Sequence, residues 1–597
     1  MTAVETLITE NLDIWASAIR YKSNAGRGRS KKTELYGIQK LRALILDLAV
    51  SGLLVSQDPN DESAEKLLVK ITAEKERLAK EGKIKKARNS EVAAVTPEEA
   101  LPLGWSYCTL SDISEIVRGI TFPASEKSTT LEEGRVACLR TSNVQEHIEW
   151  DDLLYIREEF VKREDQYILQ NDIVMSMANS RELVGKVAAI SSMPESKITF
   201  GGFLGVIRPI IADSRFITCL LRSPKIRQEL IESASQTTNI ANISLAKLKP
   251  LILALPPLKE QHRIVAKVDE LMALCDQLEQ QTEASIAAHQ TLVETLLGAL
   301  TNAPVHASFQ QAWQRIAEHF DTLFTTEHSI DQLKQTILQL AVMGNLVSQD
   351  PNDMPAHELY QRLSSKRDRA LRATEEEDGE SRTMIRKLKK LKAADAPFEL
   401  PPSWKCIQLI QICRVLVDCH NKTAPYRDAG IPIIRTTNVR NREFLENNLK
   451  YVDQDTYNYW SRRCPPEPGD IIFTREAPMG EALIIPEGAK WCLGQRTMLI
   501  RPMHEFVSNE YLLLALTEPN LLERASENAV GLTVKHLRVG DVESLSIPLP
   551  PLNEQHRIVK RVNDLLAICN QITALLQCSQ ANQTLLSNVL ARRALGA

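Results

Sequence analysis

Apolar side chains near the start of the chain recur at the spacing of a helix. Between residues 35 and 49 they fall three or four positions apart, at Leu35, Ile38, Leu41, Leu44, Ile45, Leu48 and Ala49. This spacing places them on one buried face of a helix. The pattern stops at Gly52, ahead of an Asp-Pro-Asn-Asp turn at residues 58–61. Residues 63–88 are rich in Lys, Glu, Ala and Leu, and they predict a second helix with a solvated, charged face.

From Trp105 onward this pattern gives way to short β-rich runs separated by Gly, Asn, Ser and Pro. Residues 215–233 predict a helix behind these runs, and residues 405–548 repeat the mixture. We therefore predict an α/β fold plus long helices, with α/β domains at 106–252 and 405–548. The predicted helical regions around them are residues 1–105, residues 253–404 with a helical hairpin at 330–395, and residues 549–597.

A long apolar stripe follows each α/β domain. Leu-Pro-Pro-Leu stands at residues 255–258 and again at 549–552, and its prolines suit an extended segment just ahead of a helix. Apolar positions then alternate between spacings of three and four, as in a coiled-coil seam. We predict a spacer helix at 256–300 and a second one within 549–597, each roughly 60 Å long if it has about 40 residues. The two would pair as an antiparallel coiled coil.

Two unrelated phrases occur twice in the chain. Ser-Gln-Asp-Pro-Asn-Asp at residues 56–61 returns at 348–353, and Glu-Gln-His-Arg-Ile-Val at 260–265 returns at 554–559. The offsets are 350 − 58 = 292 and 556 − 262 = 294. One long unit is therefore written twice, with a period far beyond the roughly 20–50 residues of solenoid repeats. This predicts a pseudo-two-fold molecule that handles two related targets.

The composition limits the class of protein. The 597 residues are 43% hydrophobic and 25% charged, which is typical of globular domains. No apolar run approaches about 18 residues and no secretory signal is visible, so we expect a cytoplasmic protein without a membrane partner. The 11 cysteines include no C-x-x-C pair and predict free thiols rather than a zinc site. The net charge of −4 argues against indiscriminate polyanion binding but permits a local DNA-binding groove.

Motifs for catalysis are missing from the sequence. An adenine methyltransferase needs an Asp/Asn-Pro-Pro-Tyr/Phe motif to hold a flipped base, and none of the Pro-Pro pairs fits it. No G-x-x-x-x-G-K-[ST] phosphate loop is present. His262 and His556 have no partner at metal-ligand spacing. We therefore expect a non-catalytic chain with no metal and no cofactor.

Two divergent α/β domains, two repeated helical segments and P-P-L-x-E-Q-x-R-I-V at each long helix resemble the specificity subunit of type I restriction–modification enzymes. The resemblance covers essentially the whole chain. The segment at 35–41, the duplicated Gln-Asp-Pro-Asn-Asp and the length are similar to the larger-subunit branch of that family. In the family each α/β domain is a target recognition domain that reads one half of a split DNA sequence.

The resemblance also implies partners. These are double-stranded DNA, two methyltransferase (modification) subunits that carry the adenine chemistry, and motor/endonuclease (restriction) subunits in the assembled complex. We expect the modification subunits on the exposed faces of residues 256–300 and 551–590, with the helical hairpins at 35–90 and 330–395. Two domains on a helical spacer should meet the major groove roughly 34–36 Å, or one turn, apart.

Base readout needs Arg, Lys, Asn, Gln, Ser or Thr on rigid loops, so the loops after strands are the best candidates. The first candidate set occurs in both domains and consists of Arg140, Thr141, Ser142 and Asn143 with Arg435, Thr436, Thr437 and Asn438. A residue shared by domains that read different sequences more often fixes phosphates or the fold. We favour those roles for this set.

Specificity should come from positions that differ between the domains. Asn179, Ser180 and Arg181 follow one strand, and Thr474 and Arg475 follow its counterpart. The segments ahead of the last short helix add Thr238 and Asn239, and Thr533 and Lys535. Hydroxyls ahead of a helix N-terminus suit phosphate or base contacts. For each of these residues a solvated polar loop is the alternative.

Two rival functions remain from the sequence. One is a non-catalytic protein–protein scaffold with two related interaction domains, which the slightly acidic composition permits. The other is a self-contained methyltransferase, which the missing motifs disfavour. Salt-sensitive DNA binding would separate the first rival from the specificity subunit, because only phosphate contacts release counterions.

Overall fold

The computed structural model describes residues 3–23, 31–84, 100–194, 197–236, 240–303, 306–391, 393–420, 422–476, 478–527 and 536–596. The chain divides into two compact units. The first comprises Met1–Ser285 with Cys578–Ala597, and the second comprises Ile286–Gln577. Each unit contains one α/β domain and a set of helices.

The first unit holds the helices and strands of the first half of the chain. Its helices are α1 (Ala3–Thr9), α2 (Leu12–Ser17), α3 (Tyr36–Val50), α4 (Ala64–Lys80), α5 (Leu110–Ile113), α6 (Ser214–Arg222), α7 (Pro224–Ser233), α8 (Leu245–Leu248) and the beginning of α9 (Leu258–Thr301). Its strands are β1 (Arg20–Ser23), β2 (Lys31–Glu34), β3 (Ser106–Thr109), β4 (Ser114–Arg118), β5 (Arg135–Leu139), β6 (Leu154–Arg157), β7 (Ile173–Ser176), β8 (Ala178–Asn179), β9 (Val187–Ala189), β10 (Ile198–Phe200), β11 (Leu204–Pro209), β12 (Ser235–Gln236), β13 (Ala241–Asn242) and β14 (Ile252–Leu255).

The second unit follows the same plan. Its helices are α10 (His306–Glu318), α11 (Phe320–Leu323), α12 (Glu327–Met343), α13 (Ala356–Ala373), α14 (Gly379–Leu388), α15 (Leu409–Ile412), α16 (Gln454–Trp460), α17 (Asn509–Leu516), α18 (Pro519–Glu527), α19 (Val539–Glu543) and the beginning of α20 (Leu552–Ala594). Its strands are β15 (Lys405–Gln408), β16 (Cys413–Asp418), β17 (Ile431–Ile434), β18 (Val439–Arg440), β19 (Glu443–Phe444), β20 (Lys450–Val452), β21 (Ile471–Thr474), β22 (Ala482–Ile484), β23 (Cys492–Leu493), β24 (Thr497–Pro502) and β25 (Ser546–Leu549).

A four-stranded antiparallel sheet, β4-β11-β7-β9, forms the centre of the first α/β domain. In its register Val206 lies opposite Val117 on one side and Val174 on the other. A three-stranded sheet, β10-β5-β6, continues into it through the short β10–β11 connection. Apolar side chains of both sheets share one core, which includes Val117, Leu139, Val174, Ile198, Phe200 and Val206.

The second α/β domain has the equivalent sheets, β16-β24-β21-β22 and β20-β17-β23. Leu499 lies opposite Val417 and Ile472, as Val206 does in the first domain. Each domain also contains one parallel pair of strands, β5 with β10 in the first domain and β17 with β23 in the second. The predicted mixed α/β architecture with long helices is therefore confirmed.

The first and last strands of each domain pair with each other. Ser106 lies opposite Leu255 in the β3–β14 pair, and Lys405 lies opposite Leu549 in the β15–β25 pair. The entry and the exit of each domain are therefore adjacent. The Pro-Pro segment after the exit strand then leads directly into a long helix, because proline is tolerated at a helix start but not inside it.

Both predicted long helices are present. α9 has 44 residues and α20 has 43. α9 begins in the first unit and ends in the second, whereas α20 begins in the second and ends in the first. Their apolar stripes are buried at Ile264, Val265, Val268, Leu271, Cys275, Ile558, Val559, Val562 and Cys569.

Three helical segments differ in detail from the sequence-based expectation. Residues 215–233 form two helices, because Pro224 follows Ser223 and begins a new helix as its first residue. The segment at 330–395 contains α12, α13 and α14 rather than two helices. The charged helix α4 ends at Lys80, and residues 85–88 of the expected helix lie outside the described part of the chain.

Candidate nucleic-acid interface

The carboxyl ends of β4, β5, β7 and β10 meet at one edge of the first α/β domain, which we call the strand-end edge. The Gly201 N–H donates to the Leu139 carbonyl at 3.0 Å, and the Met177 N–H donates to the Phe203 carbonyl at 2.8 Å. A Cβ on Gly119 would lie 2.1 Å from the Gly201 carbonyl oxygen, so only glycine allows this crossing. Loops that leave these four strands are therefore neighbours.

The second α/β domain has the same strand-end edge, formed by β16, β17, β21 and β23. The Gly494 N–H donates to the Ile434 carbonyl at 2.8 Å, and the Arg475 N–H donates to the Arg496 carbonyl at 2.9 Å. A Cβ on Gly494 would lie 2.5 Å from the Ile434 oxygen, which again requires glycine. The Cys419 N–H donates to the Thr497 carbonyl at 3.1 Å and joins the fourth strand to the edge.

The shared Arg-Thr-x-Asn segment forms a clamp at this edge in the first domain. Asn143 is buried; its side-chain oxygen accepts the Arg140 N–H at 2.9 Å. Its amide donates to the carbonyls of Glu149 at 3.1 Å and Asp151 at 3.2 Å. The Arg140 guanidinium donates to the Asp152 carbonyl at 2.7 Å and pairs with its carboxylate. The clamp therefore holds the segment from Arg140 to Asp152, directly after β5.

The second domain repeats this clamp. The buried Asn438 accepts the Arg435 N–H at 3.3 Å and donates to the Leu445 and Asn447 carbonyls at 2.9 and 3.2 Å. The Arg435 guanidinium donates to the Asn448 carbonyl. Within both segments, Ser142 and Thr437 are exposed, Thr141 is half-buried and Thr436 is buried. The clamp asparagines thus use their polar atoms inside the protein.

Asn179, Ser180 and Arg181 lie shortly after β7, at the strand-end edge of the first domain. Asn179 lies in β8 opposite Ala241 of β13, so the loop after β7 adjoins β13. Ser180 and Arg181 follow and are exposed. Thr238 and Asn239 belong to the segment outside the described residues.

The corresponding residues of the second domain lie deeper. The buried Thr474 hydroxyl donates to the Pro478 carbonyl at 2.6 Å and accepts the Glu481 N–H at 2.9 Å. The Arg475 guanidinium donates to the Leu537 carbonyl at 3.0 Å and pairs with Asp418 at 2.9 Å. Thr533 and Lys535 fall in residues 528–535, outside the described part of the chain.

Sequence reasoning missed two exposed residues that occupy the same place on the edge, Phe203 and Arg496. Each follows a glycine, Gly202 before Phe203 and Gly494 shortly before Arg496. The carbonyl of each accepts a main-chain N–H from the residue directly after β7 or β21. A signal for them was available. They are 496 − 203 = 293 positions apart, within the offsets of the repeated phrases, and they differ in chemistry.

The repeated phrases form a second site, which we call the frame cluster. In the first unit, Gln57 donates to Glu260 at 3.2 Å, and Arg263 pairs with Asp61 at 2.8 Å. Burial raises the pKa of the Glu260 carboxyl, and hydrogen bonds from Gln57 and Trp105 partly offset this. The cluster connects the turn after α3 to the first turn of α9.

The second unit repeats the frame cluster. Gln349 donates to Glu554 at 3.2 Å, and Arg557 donates to Asp353 at 2.7 Å. Burial raises the pKa of Glu554, whereas the hydrogen bond from Arg557 lowers that of Asp353. Contacts between polar side chains therefore explain why both phrases are kept in both copies.

The described residues of the edges and of the frame clusters do not have the composition of a metal centre. Within the described residues, no group of three or more His, Cys, Asp or Glu side chains could hold a metal ion. In that same part of the chain no helix is long and apolar enough to cross a membrane.

The two domains match a known family. A family model described as the type I restriction modification DNA specificity domain matches residues 102–288 and again residues 401–577. Each matched span contains one α/β domain, its strand-end edge and the first part of the following long helix. The fold and the duplicated match therefore define a DNA specificity protein with two recognition domains.

Two curated relatives are similar to this chain over nearly its whole length. It is 33% identical over 607 residues to the type I restriction enzyme EcoAI specificity subunit of Escherichia coli, covering 98% of this chain and 99% of that relative. It is also 33% identical over 622 residues to the EcoEI specificity subunit of the same organism, covering 99% and 100%. The chain belongs to the specificity subunits of type I restriction–modification systems. A solved HsdS subunit from Thermoanaerobacter tengcongensis is 18% identical, with a TM-score of 0.39, over 83% of this chain and 98% of that one.

Proposed function

We propose that this chain binds a bipartite double-stranded DNA target and gives a type I restriction–modification complex its sequence specificity. Residues 106–252 read one half-site and residues 405–548 read the other. The observation that carries this proposal is the strand-end edge, which has the same frame in both domains but different loops. Such a division suits two readers of different sequences, because shared contacts position a protein on DNA while divergent ones specify bases.

The candidate residues divide into two roles. Asn143, Asn438, Thr474 and Arg475 hold the loops, because their polar atoms are used within the domain. Four candidate side chains are exposed at the edge and are proposed to contact DNA: Ser142, Ser180, Arg181 and Thr437. Arg140 and Arg435 brace the loops and can also approach phosphates, as half-exposed guanidinium groups at the edge. Thr238, Asn239, Thr533 and Lys535, which lie outside the described residues, remain proposed contacts.

The chain itself performs no chemistry in this proposal. It docks two methyltransferase subunits, one on the helical frame of each unit, and reaches the motor/endonuclease subunits through the assembled complex. Exposed apolar side chains on α20 support docking, since Val589 lies three and four positions after Leu586 and Leu585, and all three are about half exposed or more. The mass of the purified complex tests the stoichiometry: a single modification subunit per chain would contradict it.

The decisive experiment is to co-express the chain with its modification subunit and map the methylated adenines across the host genome. A single split motif with a constant gap, methylated on both strands, is expected. Residues 106–252 should then be exchanged for the corresponding domain of a relative. One half of the motif should change and the other should stay. A swap that alters both halves or neither would contradict the modular assignment.

DNA binding by the purified complex separates this function from that of a protein scaffold. Lysine and arginine contacts to phosphates release counterions, so the logarithm of the binding constant should fall linearly with the logarithm of the salt concentration. An assembled complex that shows neither salt-dependent DNA binding nor methylation would favour the scaffold.

A further inference from the structure

Position 203 in the first domain and position 496 in the second are structurally equivalent. The Phe203 carbonyl accepts the Met177 N–H, as the Arg496 carbonyl accepts the Arg475 N–H. The next contact in each network also matches. The Ile243 N–H donates to the Met177 carbonyl at 2.8 Å, and the Leu537 N–H donates to the Arg475 carbonyl at 3.0 Å. Main-chain hydrogen bonds alone therefore establish the equivalence.

Both side chains are presented to solvent by a rigid backbone. Phe203 is 66% exposed, and the Arg496 side chain is 58% exposed. A Cβ on the preceding Gly202 would lie 3.2 Å from the Ile120 carbonyl, so the main chain that carries Phe203 is packed closely against its neighbour. Arg496 has a φ of 69° and donates its N–H to the Cys419 sulfur at 3.1 Å. Neither residue is on a loose loop.

The side chains near the two positions also differ in chemistry: exposed apolar side chains occur near Phe203, and charged ones occur near Arg496. Around Phe203 the edge also exposes Leu183 and Ile240, which follow and precede the paired strands β8 and β13. Around Arg496 it carries Glu476, which pairs with the guanidinium at 2.9 Å, and the Asp418–Arg475 pair. The first edge thus exposes apolar side chains as well as Arg181, whereas the second has charged side chains paired beside the equivalent position.

These properties correspond to two different base edges in the major groove. Thymine presents a C5-methyl group, which apolar side chains such as phenylalanine contact, and guanine presents O6 and N7, which arginine binds with two hydrogen bonds. The surface pair with Glu476 contributes little on its own and leaves the guanidinium able to exchange partners.

We propose that positions 203 and 496 are the equivalent base-reading positions of the two domains. Phe203 contacts the methyl group of a thymine in the half-site of residues 106–252, and Arg496 binds a guanine in the half-site of residues 405–548. This rests on the proposed function, since it names the chemistry by which that site distinguishes bases.

The test uses the purified complex with its modification subunits and a duplex that carries the split motif mapped for the wild-type protein. Each thymine of the first half-site is replaced singly by deoxyuridine, which lacks the methyl group. Each guanine of the second is replaced singly by 7-deazaguanine, which lacks N7. We expect one deoxyuridine to weaken wild-type binding about fourfold, the effect of one buried methyl-sized group. One 7-deazaguanine should weaken it about five- to hundredfold.

The variants identify the contacts. Phe203→Ala should weaken binding and abolish the deoxyuridine effect while leaving the 7-deazaguanine effect unchanged; Arg496→Ala should do the reverse. Matched controls come from the opposite end of each domain. Leu131→Ala removes a 64% exposed apolar side chain, and Arg427→Ala removes a 56% exposed arginine paired with Asp453. Both control variants should keep both effects.

Several outcomes would overturn the inference. They are a first half-site without thymine, a second without guanine, variants that retain both substitution effects, or a single variant that changes both half-sites. Weakened complex assembly by Phe203→Ala, with an unchanged deoxyuridine effect in the complex that does form, would assign the residue to a subunit contact instead. Failure of the proposed function looks different, because the wild-type complex would then show no split methylation motif at all.

Discussion

The side-chain amide of Gln57 donates a hydrogen bond to the carboxylate of Glu260 over 3.2 Å, although 203 positions separate them in the sequence. Gln349 and Glu554 repeat this contact at the same distance. Each residue comes from one of the two phrases that occur twice, so each phrase binds the other within its own unit. A change in either phrase would leave a buried polar group without its partner, which is costly.

The frame cluster should make stability depend on pH through Glu260. Burial raises its folded pKa, so the folded protein retains the proton where the unfolded chain has released it. Its contribution is present below the ordinary glutamate pKa of about 4.3 and is lost as pH rises through the folded pKa. Glu260→Gln should flatten this part of the profile of unfolding free energy against pH. Glu270→Gln, an exposed glutamate that pairs with Lys267, is the control and should leave it unchanged.

Gly52→Ala should destabilise the first unit by more than a left-handed backbone alone explains. Gly52 has a φ of 70°, and an added Cβ would lie 2.5 Å from Cγ of Pro102. Gly82 has a φ of 74° but nothing within 4 Å of an added Cβ. Gly82→Ala should therefore cost about 1–2 kcal/mol, and Gly52→Ala a further ~1–3 kcal/mol. Thermal unfolding of both variants checks this, and equal losses would contradict the close contact.

Much of the architecture could be predicted from the sequence, because apolar periodicity and exact repeats can be recognised in the residues alone. The stripes of α3 and α9 fall on buried faces, as at Leu41 and Ile264. Thr474 shows the limit of such signals. Its polar side chain beside a predicted strand indicates a contact with DNA. In the structure its hydroxyl donates to the Pro478 carbonyl and accepts the Glu481 N–H. Its contact with DNA remains a prediction, because the sequence alone does not show that this hydroxyl has two partners within the domain.

The ion pair of Arg475 with Asp418 illustrates the other limit. The two residues are 57 positions apart, and their contact depends on how β16 and β21 flank β24. No periodicity reports such a pair. The equivalence of Phe203 and Arg496 likewise follows from main-chain hydrogen bonds, because their carbonyls accept the N–H groups directly after β7 and β21. The constant offset between the copies points to the same equivalence.

Arg208→Ala should be among the most destabilising substitutions in the first domain. Its guanidinium donates two hydrogen bonds to Asp172, at 2.8 and 2.7 Å, and Asp172 is buried. Removing one partner of a buried pair leaves an uncompensated charge and costs about 3–5 kcal/mol. Arg215→Ala is the matched control, because Arg215 pairs with Asp269 where both are about half exposed. Its cost should stay below about 1 kcal/mol. Urea denaturation measures both.

The Asp353–Arg557 hydrogen bond should contribute stability with the opposite pH dependence to Glu260. Arg557 lowers the folded pKa of Asp353, so the contribution is present above the ordinary aspartate pKa of about 3.9 and is lost as pH falls through the folded pKa. The difference in unfolding free energy between wild type and Asp353→Asn should therefore be constant from pH 8 to 5 and shrink below about pH 4. A difference that grows with acidification would show that the hydrogen bond does not favour the carboxylate.

Asn438→Ala distinguishes a residue that holds the strand-end edge from one that reads bases. The substitution removes one accepted and two donated hydrogen bonds from a buried side chain, and should lower the free energy of unfolding by about 2–3 kcal/mol. Because its polar atoms face the protein, the methylated motif should keep the same bases in both half-sites while the methylation rate falls. Thr437→Ala, at the exposed neighbour, should leave stability within about 0.5 kcal/mol of wild type. Methylation mapping of both variants, with urea denaturation of each, provides the measurement; altered bases in the Asn438→Ala motif would instead make this asparagine a reader of DNA.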